Sequence, residues 1–319
     1  MRAALTALFA LVAGSAASAP VLSLPIDCEL GVNCHIQQYP DRDPGPEFRD
    51  FRCGQLAYDG HKGTDFSLPT LKAMQEGVNV LAAAPGVVRG SRDSMPDKYF
   101  TKEHAEDVSG RECGNGVVVR HADGWETQYC HMKLGSIRVQ KGNRVKQGTI
   151  LGEVGLSGKT QFPHLHLSVR QNGQVVDPFD TSDTSLCGQA GNSLWHSELP
   201  YVPGALIDIG FSPNLPKYED IHAGSAKMNS LPAESEALVL FGFAYGGLKG
   251  DIMRLSISGP NGFSLSHDAE LEKNRARFFR AYGKRLKQAA WPQGTYRGTV
   301  KMIRDGATLS EQSINMIIE

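Results

Sequence analysis

From residue 53 to about 180 the chain reads as strand-length apolar runs, each cut short by glycine or a turn dipeptide. "VNVLAAAPGVVRGS", "NGVVVRHA", "WETQYCHM", "TILGEVGLS", "PHLHLSVRQNG" and "VVDPF" follow one another at short intervals. Runs of this length with Gly-rich turns between them predict a mainly β domain built on an antiparallel sheet. Asp123-Gly124, between two of the runs, is a hairpin signal. Two stretches break the rhythm. "SLPTLKAMQEG" has room for one short helix, and "SRDSMPDKYFTKEHAEDVSGREC" (91–113) is polar and long for a hairpin loop, which fits a wall or lid beside a site.

The rest of the 319-residue chain divides around this block. Residues 1–19 have an early arginine, an apolar run and then small residues, the outline of a secretory signal peptide. Cleavage after Ala17 and after Ala19 are both open. Residues 20–52, rich in Pro and Asp, read as an irregular N-terminal arm laid over the main domain, and 181–200 as a polar linker. Residues 201–319 return to alternating runs with turns at Pro-Asn-Gly and Arg-Asp-Gly, predicting a small β-sandwich. Within it 268–287 stays ambiguous, because Leu271, Phe278, Phe279, Tyr282 and Leu286 also fit a helical period. No run in the mature chain is long enough to span a bilayer as a helix.

Six cysteines suit an exported chain and most simply form three disulfides. Cys28 and Cys34 can clip a short loop, and Cys113 and Cys130 bracket the Asp-Gly hairpin. Cys53 and Cys187 then remain for each other. Zinc ligation by cysteine is the alternative, but no C-x-x-C spacing supports it. A net charge of -1 gives no reason to expect nucleic acid as a partner. The periplasm or the extracellular space is the expected location, and a monomer the expected state.

Histidines carry the chemical signal. His164 and His166 lie two apart in a strand-like run and so share one face, with Leu165 and Leu167 on the other. In "YDGHKGTDF", His61 and Asp65 are four apart, and Gly60 and Gly63 argue for a strand or turn edge over a helix. "YCHMK" places His131 at the end of a hairpin strand. Each of these alone reads as a hydrogen-bonded structural residue or a surface pair. Together they supply four imidazoles and a carboxylate from one domain. Catalytic zinc takes three such ligands and keeps one position for water, and the imidazoles left over suit proton transfer near neutral pH. There is no G-x-S-x-G elbow, phosphate-binding loop or H-E-x-x-H helix to suggest other chemistry.

With these residues assembled, the segment 53–180 resembles the lysostaphin/LytM-like zinc metallopeptidases, which hydrolyse peptide bonds in bacterial peptidoglycan. The resemblance rests on "HKGTDF", "APGVV", "YCHM", "KGNRVKQGTILGEVGLSGKTQFPHLHLSV" and "VVDPF", in that order. It implies an antiparallel sheet with a groove along it. It implies one zinc ion per chain held by His61, Asp65 and His166, with His131 and His164 as the catalytic pair, and peptidoglycan peptides as substrate. "SGKTQF" departs from the family's usual Ser-Thr-Gly before the histidine pair. A non-catalytic wall-binding or hydrolase-regulating protein on the same fold is the alternative reading. Two accessory expectations remain. Asn33 and His35 place the arm within possible reach of the metal. Lys273, Arg275, Arg277, Arg280, Lys284, Arg285 and Lys287 form a basic run that reads as a solvated face or as a grip for an anionic wall polymer.

Overall fold

Strand alternation in the first half produces ten strands that turn one face into a core and the other toward a cleft. In the computed structural model they are β1 (His35–Gln38), β2 (Thr64–Ser67), β3 (Asn79–Leu81), β4 (Gly86–Arg92) and β5 (Asn115–Arg120). There follow β6 (Trp125–Met132), β7 (Arg144–Val145), β8 (Ile150–Glu153), β9 (His164–Gln171) and β10 (Gln174–Val176). The structure describes residues 19–182, 187–188 and 192–319. The signal-peptide reading of 1–19 therefore lies, Ala19 apart, outside the described residues.

Eight of these strands make one antiparallel sheet in the order β1-β2-β9-β6-β5-β4-β7, with β10 also paired to β9, while β3 and β8 form a separate pair. Its core face carries Phe66, Val117, Val119, Tyr129, Leu165 and Leu167, all buried. The short helix expected in 67–77 is α1 (Leu71–Glu76), capped by the Thr70 hydroxyl accepting from the Ala73 amide. Within 91–113 the only helices are a 3-10 turn at Lys102–His104 and α2 (Ala105–Val108). Three disulfides tie the layers together: Cys28–Cys34, Cys53–Cys187 and Cys113–Cys130.

The arm is irregular over most of its length, but it contributes one strand that its proline content does not announce. His35–Gln38 pair with β2 as an edge strand of the main sheet, and Leu22, Ile26 and Tyr39 of the arm pack into the same core. The sheet edge supplies the hydrogen bonds that composition alone does not announce. The linker likewise packs inward at one point, where Leu194 and Trp195 are buried in the same core.

The second half has a three-stranded sheet of β11 (Ala205–Ser212), β13 (Ala237–Gly247) and β16 (Arg275–Arg285). A five-stranded sheet faces it, with β12 (Ser230–Leu231), β14 (Ile252–Ser258), β15 (Ser264–Glu270), β17 (Gly294–Arg304) and β18 (Ala307–Ile318). Leu238, Leu240 and Phe278 from one sheet meet Met253, Leu255, Val300 and Met316 from the other in a shared core. A short α3 (Tyr218–Ala223) lies beside the first sheet, with Ile221 packed near Phe241 and Phe243. Residues 275–285 are strand, which settles the ambiguity at 268–287 and splits the basic run. Arg277 and Arg280 fall on opposite faces of β16, so the seven cations do not form a single patch.

Candidate metal centre

Register brings the predicted residues together. Asp65 on β2 lies directly opposite His166 on β9, and Ser67 opposite His164. Directly paired residues of an antiparallel ladder present side chains to the same face. His61 enters from the loop before β2, where its Nδ1 donates to the Tyr39 carbonyl oxygen at 2.7 Å.

His131 reaches this face by an irregularity. Cys130 is paired with His166, so regular alternation would turn His131 away from the other histidines. Between Tyr129 and Met132 the pairing of β6 with β5 slips by one residue, and His131 takes a φ of 61°. This is a bulge with a left-handed residue, a conformation costly for anything but glycine. The neighbouring chain holds it. The His131 amide donates to the Cys113 carbonyl, next to the Cys113–Cys130 bridge, and its carbonyl accepts from Gly155. Its ring then sits 4.7 Å from that of His164 and 5.9 Å from that of His166.

The donor atoms converge. Asp65 Oδ1 is 2.7 Å from His166 Nδ1, 3.2 Å from His61 Nε2 and 3.5 Å from His164 Nε2, and His61 Nε2 is 3.3 Å from His166 Nδ1. At zinc–ligand distances of about 2.0–2.2 Å, tetrahedral donors stand about 3.3–3.6 Å apart. The donor set His61, Asp65 and His166 fits such an ion. A second triplet, His131, His164 and His166, also gathers its donors within 4.8 Å, but it lacks a carboxylate.

Every imidazole has its far nitrogen anchored on an oxygen. His61 is fixed by Tyr39, His131 by the Ser157 carbonyl at 2.8 Å, and His164 by the Phe162 carbonyl at 2.9 Å with Thr160 Oγ1 at 3.1 Å. His166 Nε2 lies 3.0 Å from Ser168 Oγ. Each carbonyl can only accept, so it selects the tautomer whose other nitrogen offers a lone pair to the centre. Burial pushes His131 well below the ordinary imidazole range, with His164 and His166 adding to the effect. Burial likewise lowers His166, against the pull of Asp65. Burial opposes ionisation of Asp65, but the interactions with the neighbouring His61, His164 and His166 rings outweigh it and hold the carboxyl well below its usual range. His61 is raised, since Asp65 overcomes the effect of its burial.

Sequence spacing missed the supports. Tyr39 lies in the arm and Ser157 in a loop, and neither has a local signal. Thr160 and Phe162 belong to the unusual "KTQF", now seen as the shell around His164, whose ring stacks on Phe162 at 4.4 Å. Asn33 and His35 do not approach the centre, contrary to the reach expected of them. The Asn33 side chain accepts from the Glu29 amide inside the Cys28–Cys34 loop, and His35 stacks on Tyr245 at 4.4 Å. The centre opens into a cleft of about 950 Å³ whose walls include Tyr99 and Phe100 from the 91–113 segment and Tyr218 and Arg277 from the second half.

Gly63 explains why the first motif carries a glycine between its histidine and aspartate. A Cβ there would lie 2.5 Å from the Leu167 carbonyl oxygen and 2.6 Å from His166 Nε2. Gly63→Ala is therefore expected to displace the His166 ring and lower metal affinity by about 10–100-fold, the range for lost outer-shell support. Metal titration monitored by calorimetry checks this, and an unchanged affinity would show that the ring is not held by this contact.

A β-sheet domain that gathers two histidines, an aspartate and a further pair of anchored imidazoles at the floor of a cleft defines a candidate metallohydrolase centre. Residues 59–178 match the model of Peptidase family M23. DD-carboxypeptidase/endopeptidase Mpg of Neisseria meningitidis serogroup B is 34% identical over 120 residues, 37% of this chain and 22% of that protein. Peptidoglycan DD-endopeptidase ShyA of Vibrio cholerae is 32% identical over 117 residues, 37% of this chain and 22% of that protein. The chain thus spans about a fifth of the length of these curated relatives. Among solved structures, the catalytic domain of the prophage-encoded M23 protein EnpA from Enterococcus faecalis aligns at 28% identity. That alignment covers 47% of this chain and 92% of that chain, with a TM-score of 0.33.

Proposed function

We propose that this chain is an exported zinc metalloendopeptidase that hydrolyses peptide bonds, in the stem or the cross-links, of bacterial peptidoglycan. The observation that carries the reading is the convergence of His61, Asp65 and His166 donors beside two further imidazoles whose far nitrogens are tied. Relatives named as DD-endopeptidases support the substrate class. Three disulfides suit an oxidising compartment, and no helix among the described residues is long and apolar enough to cross a membrane.

In this reading 53–180 is the catalytic unit and 201–319 an accessory sandwich. His61, Asp65 and His166 hold one zinc ion, which supplies Lewis acidity and brings the pKa of water toward about 7. His131 and His164 work beside it. With Nδ1 tied to the Ser157 carbonyl, His131 turns the lone pair of Nε2 to the centre, and beside the zinc the two imidazoles would bracket the reacting carbonyl, one accepting a proton and the other steadying developing charge.

The test is mass spectrometry of muropeptides incubated with the mature protein, with chelator and after zinc is restored. New peptide termini are expected in the untreated and zinc-restored samples and not under chelator. A zinc-loaded protein that leaves every muropeptide intact would favour the non-catalytic alternative.

A further inference from the structure

Arg277 is a charged side chain whose Nε and Nη1 find no hydrogen-bond partner in the sandwich that carries it. It projects from β16 on the face opposite Phe278, which packs into the sandwich core, and it lines the cleft shared with the metal centre. Its guanidinium is clamped between two rings, 4.7 Å from the centre of Phe162 and 4.9 Å from that of Phe243. Its Nε and Nη1 are buried without a hydrogen-bond partner among the described residues, and no described carboxylate lies within ion-pairing distance. Burial lowers its pKa to about 10, so it stays charged at neutral pH. The two nearby histidines add no charge: burial, and then Arg277 itself, hold His35 and His222 near 3.

A buried guanidinium without a charged or hydrogen-bonding partner is expensive to keep; stacking on two rings offsets part of that cost, and an anion would offset more. The two rings fix the plane of the guanidinium at the wall of the cleft, where its charge suits a carboxylate. The position is also specific. One face of Phe162 meets Arg277 and the ring also stacks on His164, so a single aromatic side chain separates the guanidinium from the proposed catalytic pair. At about 3.3–3.6 Å per extended residue, that separation corresponds to one to three residue positions along a bound peptide.

We propose that Arg277 is a specificity-determining subsite that binds a carboxylate of the substrate peptide close to the scissile bond. This rests on the peptidase reading and makes the second half of the chain part of substrate selection. The carboxylate has two possible sources, the free C-terminus of a stem peptide and the side chain of an acidic or diamino-acid residue.

The experiment compares muropeptides with both carboxylates free against the same peptides amidated at one or the other. Wild type is expected to show a KM about 10–100-fold lower for the peptide with the recognised carboxylate, the range for a charge-assisted hydrogen-bonded pair. The amide that loses the preference identifies the source. Arg277→Met, which keeps an unbranched side chain between the two rings, should erase the KM difference between the free and amidated peptides. Arg277→Lys should restore part of it, since the charge remains without the fork. A preference that survives in Arg277→Met, or a wild type indifferent to amidation, overturns the proposal. If wild type cleaves none of the peptides, the peptidase reading fails, and equilibrium binding of the same set decides the subsite by the same comparison.

Discussion

His166→Ala is expected to abolish both zinc binding and zinc-restored cleavage, a larger loss than any other single change near the centre. His166 belongs to both donor triplets, and its Nδ1 lies 2.7 Å from Asp65 Oδ1 and 3.3 Å from His61 Nε2. Its removal leaves one imidazole and one carboxylate where catalytic zinc takes three protein ligands. Outer-shell changes at metal sites cost about 10–100-fold, and loss of a ligand should exceed that range. His164→Ala separates the roles: it should lose cleavage but keep its zinc, because Asp65 and His61 still meet His166. Metal content by elemental analysis, set beside muropeptide cleavage, reads both variants. One zinc retained per His166→Ala chain would reassign the ligands. The fold should survive, since the His166 side chain is 15% exposed and sits at the cleft, not in the core.

Much of this centre was legible as spacing. Two residues apart on a strand put His164 and His166 on one face, and the four-residue step from His61 to Asp65 placed that pair on a second segment. Spacing could not show that Asp65 and His166, 101 positions apart, are cross-strand partners. Nor could it show how His131 arrives, since the bulge breaks the very alternation on which sequence reading depends.

The misleading segments fail for a common reason, which is that their burial comes from distant chain. β16 is covered on both faces, Phe278 in the sandwich core and Phe279 against the Phe241 and Phe243 cluster. Apolar residues on both faces spoil the two-residue period and imitate a helical one. β1, with the sequence "HIQQ", has little strand propensity of its own and owes its conformation to the edge of β2. Arg277 looked like one cation in a run of seven. Only the strand's alternation and the position of the cleft distinguish it.

The arm carries the second large effect. Arg42→Ala is expected to destabilise the protein by about 3–5 kcal/mol, the cost of stranding buried charges. The Arg42 side chain is 1% exposed and lies 3.5 Å from Asp177 Oδ2 and 3.4 Å from Asp180 Oδ2, and it also donates to the Asp180 carbonyl at 2.6 Å. It fastens the arm to Asp177 and Asp180, in and just beyond the "VVDPF" motif that leads out of β10. At about 2–4 °C per kcal/mol for a domain of this size, the melting temperature should fall by roughly 6–20 °C. The sign with pH follows from Asp177. Burial lifts its carboxyl to about 7 even with Arg42 beside it, so the native state holds a proton there that the unfolded chain releases at lower pH. This group's contribution to stability is therefore lost as pH rises through 7, and removing the cation makes ionisation costlier still. The Arg42→Ala defect should accordingly be greater at pH 8 than at pH 5. Arg89→Ala is the comparison, because Arg89 is 64% exposed in its pair with Glu126 and should cost no more than about 1 kcal/mol. Denaturant midpoints for the two variants at both pH values decide the matter; similar small shifts would mean that Arg42 is not what holds the arm. The consequence reaches the metal centre as well. Tyr39 and Asp41, immediately before Arg42, clasp His61 through the Tyr39 carbonyl and the Asp41 amide. An arm loosened at Arg42 should therefore bind zinc more weakly before it unfolds.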